Sequence, residues 1–67
     1  METYEIKGMT CEHCVRAVTG ALARVPGVKA VRSVDLGKGV AVIEGAPDEQ
    51  AVIAAIRDEG YEARRSA

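Results

Sequence analysis

Polar and apolar residues alternate through TYEIKG at positions 3 to 8, with Tyr4 and Ile6 on one side and Thr3, Glu5 and Lys7 on the other. That period of two predicts a strand with one buried face. Past a loop at Gly8 to Thr10 the period changes. From about Cys11 to Val25 the apolar positions Cys14, Val18, Ala21, Leu22 and Val25 recur at helical spacing, and Pro26 and Gly27 end the run. Thr10 is the expected N-cap of this helix. Gly20 inside it costs about 1 kcal/mol relative to Ala, and its only evident use would be a close contact with another helix.

Two β-branched runs follow, VKAVRSVDL and VAVIEG, separated by GKG at positions 37 to 39. They predict a hairpin on a Gly-rich turn, with Val34 and Leu36 inward on the first arm and Val40 and Val42 inward on the second. Pro47 and Asp48 then open a second helix with the stripe Val52, Ile53 and Ile56, and Gly60 closes it. YEARR supplies one short edge strand whose charges discourage edge-to-edge pairing. The order β-α-β-β-α-β predicts an α+β ferredoxin-like sandwich, a four-stranded antiparallel sheet with two helices on one face. The halves overlay around Gly8 and Gly45, which brings Asp48 and Ala51 to the places of Cys11 and Cys14.

Composition narrows the function. The chain has 67 residues, enough for one domain (1–67) that buries about 60% of its unfolded surface. A net charge of −1 with scattered Lys and Arg gives no basic stripe for nucleic acid, and two tyrosines as the only aromatics give no platform for stacking bases. No apolar run approaches the ~18 residues of a membrane span. Strand patterning begins by Thr3, with no secretion signal before it. A cytoplasmic protein that is not membrane-embedded is expected, and there thiols stay reduced and a Cys pair marks metal or redox chemistry.

Cys11 and Cys14 are the only cysteines. A helix N-terminus stabilises thiolates through its free N–H groups and dipole, and the i, i+3 spacing turns both sulfurs to one side. A structural zinc site wants four ligands, and only His13 is near. A thioredoxin-like thiol-disulfide oxidoreductase is the runner-up, although its CxxC normally belongs to a larger fold, and here no aromatic precedes the first Cys and no Pro separates the pair. Soft Cu(I) favours thiolates and needs no four ligands, so two cysteines complete its site.

GMTCEHC at positions 8 to 14 resembles the GMxCxxC motif of the heavy-metal-associated domain family. The resemblance extends over essentially the whole chain, including the element order and the Gly60-Tyr61 pair, and within the family is strongest to free-standing bacterial copper chaperones of the CopZ type. It implies a non-enzymatic carrier of Cu(I), held by Cys11 and Cys14, one per chain or shared in a dimer. It also implies delivery by ligand exchange to the metal-binding domains of a P-type copper-transporting ATPase, from a chain that is monomeric when apo. Related domains carry Hg(II), Zn(II) or Cd(II) on nearly the same motif. Thr10 matches the copper-type motif, where zinc-exporting relatives often carry an acidic residue. Relative to the family, VKAVRSVDL holds an extra residue, which a β-bulge or shifted register would absorb.

Met9, Thr10, His13 and Tyr61 remain as candidates for support around the cysteines. Met9 is expected to brace the loop from the core, and its thioether is the alternative. His13 lies off the sulfur side of a regular helix and faces solvent unless a dimer or transfer complex recruits it. Tyr61 is either a capping aromatic after Gly60 or a hydroxyl partner to a thiolate. Lys7, Arg16, Arg24 and Lys29 in the first half, against Asp48, Glu49, Asp58 and Glu59 in the second helix, suggest a basic face around the site for an acidic partner domain.

Overall fold

A computed structural model describes residues 1–66 of the chain. In order, the elements are β1 (Glu2–Lys7), α1 (Glu12–Ala23), β2 (Val28–Asp35), β3 (Val40–Gly45), α2 (Glu49–Asp58) and β4 (Glu62–Arg65). The four strands form one antiparallel sheet in the order β2-β3-β1-β4. Each half is a split β-α-β unit, since β3 lies between β1 and β2, and β1 between β3 and β4. This is the ferredoxin-like arrangement the element order predicts.

The core lies between sheet and helices. Tyr4 and Ile6 face it from β1 as the alternation requires, joined by Val18, Leu22, Val52 and Ile56 from the helices. Tyr4 is 0% exposed. Its hydroxyl donates to Glu2 Oε1 at 3.1 Å, and burial followed by that carboxylate pushes its pKa up to about 12. Asp48 caps α2 as expected, Oδ1 accepting from the Gln50 N–H at 3.2 Å.

On β3 the inward set is the reverse of the expected one. Ala41 and Ile43 are buried, whereas Val40 and Val42 are half-buried on the other face. Residues 40 to 43 are all apolar and carry no alternation of their own, so the partner strand decides. Tyr4 pairs with Ala41, and pairing places the small side chain beside the large ring on the core face.

The extra residue in β2 is accommodated by register shifts between Val28 and Ala30 and again between Val31 and Ser33. Two bulges convert the period of two into a period of three, so Val28, Val31 and Val34 all pack on the core. Val34 is inward as expected, and Leu36 is not, because β2 ends at Asp35 and Leu36 belongs to the turn. Asp35 organises that turn through Lys38 N–H to its Oδ1 at 3.0 Å and Gly39 N–H to its carbonyl at 2.9 Å. Gly39 (φ +65°) then accepts from Ile6 N–H at 2.7 Å, and a Cβ there would stand 2.9 Å from the Ile6 carbonyl.

Gly20 makes no close helix contact. A Cβ at that position would meet only the tip of Arg24, at 3.6 Å. No helix among the described residues is long and apolar enough to cross a membrane.

Candidate metal centre

The chain leaves β1 at Lys7 and turns through Gly8, whose φ of +106° disfavours any residue with a Cβ. Met9 then packs against the core and Thr10 is exposed. Cys11, not Thr10, is the N-cap of α1, with extended φ and ψ of −157° and 176°. Its carbonyl accepts from the N–H groups of Cys14 at 3.0 Å and Val15 at 3.3 Å, while its thiol caps nothing. Thr10 stands one residue too early to cap, and its hydroxyl lies 3.8 Å from Cys14 Sγ instead.

The second half builds the same junction with different side chains. Gly45 has φ +124°, matching Gly8, and Asp48 is the N-cap, matching Cys11. The overlay drawn from sequence is therefore present in the backbone. Where Asp48 puts an oxygen on the first-turn amides, Cys11 leaves its sulfur free.

Cys11 is exposed and Cys14 half-buried, both as free thiols with their sulfurs 3.9 Å apart. With metal–sulfur bonds of ~2.3 Å, that separation subtends an angle of about 116° at a shared ion, and a linear arrangement needs about 4.6 Å. A side-chain rotation opening the pair by about 0.7 Å spans that range. Among the described residues no third His, Cys, Asp or Glu stands with the two thiols. His13 is exposed beside them on the first turn.

The loop is also built to hold negative charge. Cys14 is lowered from 9.0 to about 6, first by a backbone hydrogen bond from Thr10, then by the Tyr61 side chain and by a backbone hydrogen bond from Cys11. The same interaction with Cys14 raises Tyr61. Tyr61 is 47 residues from Cys14 in sequence and reaches it because β4 begins beside the end of β1, with Lys7 paired to Glu62.

The charged residues suggested as a docking face are not all together. Antiparallel topology puts Lys7 and Arg16 at the cysteine end, with Asp58 and Glu59. Arg24, Lys29, Asp48 and Glu49 belong to the junctions of the opposite end. Arg24 reaches back to pair with Glu59 at 3.6 Å, an exposed contact of little energetic weight.

The sequence profile of the heavy-metal-associated domain family matches residues 3–62, from the first strand to the start of the last. The chain belongs to the heavy-metal-associated domain family. Copper-transporting ATPase 2 of Rhizobium meliloti (strain 1021) is 43% identical over 97% of this chain, which spans only 8% of the ATPase. Copper chaperone CopZ of Enterococcus hirae is 37% identical over 92% of this chain and 93% of its own length. The apo structure of the copper chaperone of that organism superposes with a TM-score of 0.87 at 33% identity, covering 98% of this chain and all of the other. The structural likeness extends to a protein not named for copper. Oxidized MerP from Ralstonia metallidurans CH34 superposes with a TM-score of 0.89 at 29% identity over 98% of this chain and 94% of its own.

Proposed function

We propose that this domain is a cytoplasmic carrier of Cu(I), which it holds between Cys11 and Cys14 and passes by ligand exchange to the metal-binding domains of a P-type copper-transporting ATPase. The observation that carries the reading is the isolated pair of sulfurs, 3.9 Å apart at an exposed helix N-terminus with no third His, Cys, Asp or Glu beside them among the described residues. A tetrahedral structural ion would be left half-coordinated there, whereas a soft monovalent ion is satisfied. A Cys14 thiol lowered to about 6 is ready as thiolate at neutral pH. The open side of the site admits an incoming thiolate before a donor sulfur leaves, so exchange needs no free copper. In this reading Met9 braces the loop, Thr10 and Tyr61 support Cys14, and His13 faces the approaching partner.

The likeness to CopZ over nearly its full length favours a free-standing chaperone, and the likeness to an ATPase segment favours a partner built on the same fold. Such a chain is a monomer when apo, and two copies bridge copper where their exposed cysteine loops face. The second reading is a carrier of Hg(II), Zn(II) or Cd(II), since thiolates favour all of these ions and Mercuric reductase of Shigella flexneri is 42% identical over 94% of this chain, which spans 11% of that enzyme. A CxxC thiol-disulfide oxidoreductase is a further alternative, with only the lowered Cys14 thiol in its favour.

Competition of the reduced protein against a coloured Cu(I) chelator, beside a Zn(II) titration against a zinc indicator, tests the proposal. Copper withdrawn at one ion per chain or per dimer, with zinc held far more weakly, is the expected result. Failure to compete for copper overturns it.

A further inference from the structure

The two ends of the molecule share a frame, and the difference between them assigns Tyr61 a role apart from its hydroxyl. At each end a β–α loop that starts on a left-handed glycine packs against an α–β junction that contains another. At the far end, Gly45 and Pro47 meet Gly27, and main chain lies directly on main chain. The Ala46 N–H donates to the Gly27 carbonyl at 3.1 Å, a Cβ on Gly27 would stand 2.9 Å from Pro47 Cα, and a Cβ on Gly45 would collide with the Gly27 carbonyl.

At the cysteine end the counterpart of Gly27 is Gly60, and both have φ +96°. Here no main-chain hydrogen bond joins Gly8, Met9 or Thr10 to Gly60 or Tyr61 among the described residues. The Tyr61 ring occupies that place, with Cδ1 3.1 Å and Cα 3.9 Å from where a Gly8 Cβ would be. Tyr61 is fixed from its own side. Gly60 N–H donates to the Arg57 carbonyl at 2.9 Å and Tyr61 N–H to the Ile56 carbonyl at 3.3 Å, the paired bonds that close a helix on a left-handed glycine.

We propose that Tyr61 is the positioning residue of the cysteine loop: its ring, anchored by the end of α2 and seated on the bare backbone of Gly8, replaces the main-chain staple that holds the equivalent loop at the other end. Toward the α2–β4 junction the loop carrying Cys11 is then restrained by a van der Waals contact in place of a main-chain hydrogen bond, and its polar contacts run instead to the Cys14 sulfur on α1. The inference deepens the proposed function only in naming what restrains the metal loop, and it is testable without metal.

Backbone order parameters of the reduced apo protein provide the test, comparing residues 9 to 11 with residues 46 to 48, in which rigid backbone gives about 0.85 and flexible backbone below about 0.6. Tyr61→Ala is expected to lower residues 9 to 11 toward the flexible value and leave 46 to 48 unchanged. Tyr61→Phe, which keeps the ring and removes the hydroxyl, is expected to retain wild-type order. Gly8→Ala is expected to loosen the same residues, and if it does not fold, the two Tyr61 variants decide. Unchanged order in Tyr61→Ala overturns the proposal, as does a Phe variant as loose as the Ala variant. Failure of the wild type to take copper from a chelator would remove the copper reading and leave this result standing.

Discussion

Replacing Cys11 with serine removes one proposed metal ligand and, from the geometry of α1, should make the apo protein more stable. Cys11 is an N-cap with capping backbone angles and a side chain that accepts nothing. The matched position in the other half shows what is missing, since Asp48 Oδ1 takes the Gln50 N–H at 3.2 Å. A serine hydroxyl at position 11 can take the corresponding His13 N–H. A working cap is worth about 1 kcal/mol over a residue that does not cap. At roughly 2.1 cal/mol/K of unfolding entropy per residue, a chain this size shifts by about 7 °C per kcal/mol, so Cys11→Ser should melt about 7 °C higher. Cys14→Ser is the control: position 14 lies inside the helix and caps nothing, so the same change of sulfur for oxygen should bring no gain. Thermal unfolding followed by far-ultraviolet circular dichroism under reducing conditions gives the comparison. Copper should reverse the order, because an ion at 1,000 times its dissociation constant stabilises the wild type by about 4 kcal/mol and the serine variant scarcely at all. A Cys11→Ser apo protein that melts no higher than wild type would refute the argument that this helix end is left uncapped.

Other consequences are open to equally direct measurement. Gly20→Ala should raise apo stability by about 1 kcal/mol in chemical denaturation, because the new Cβ meets only the flexible end of Arg24 at 3.6 Å. Thr10→Ala should cost under about 0.5 kcal/mol in the same assay, since Thr10 is not the cap; a loss of 1 kcal/mol or more would restore it to that role. Alkylation of Cys14 should stay fast down to neutral pH and slow as pH falls through about 6. Its folded pKa lies below the ordinary 9.0, so its contribution to apo stability is full above pH 9 and is lost as pH falls through about 6. Tyr61→Phe removes one of the interactions that favour the thiolate and should move the alkylation profile to higher pH.

Much of the fold is legible in the sequence wherever one residue type can occupy only one kind of place. Alternation in β1 marks Tyr4 and Ile6, Pro47 and Asp48 mark the start of α2, and Gly60 its end, because each signal is local. β3 reads wrongly for the complementary reason. Four successive apolar residues fit either face, and the choice is made by Tyr4, 37 positions earlier, through the pairing with Ala41. The bulges in β2 are visible as a surplus residue, but their number is not, since one bulge or two absorb the same irregular pattern.

At the cysteines the legible part is the chemistry, and the hidden part is what holds it in place. Two sulfurs three residues apart at the start of a helix announce a thiophilic site, yet nothing local says that the first of them occupies the position where its counterpart, Asp48, secures a helix. That substitution joins stability and function. An oxygen at position 11 would tie up the first-turn amides and remove a soft ligand, while a sulfur leaves those amides and the dipole free to favour a thiolate and a passing ion. The second half of the chain bears the complementary load. Its loop is capped by Asp48 and bonded through Ala46 to Gly27, so it holds its end of the sandwich rigid. In the proposed carrier, a doubled fold can thus leave one junction loose for metal exchange because the other, built on the same glycines, is closed. A soft metal loop is then a property of the apo state that should diminish on loading, as two sulfur–metal bonds add the restraint that neither the Cys11 side chain nor a main-chain bond to the Gly60 junction supplies.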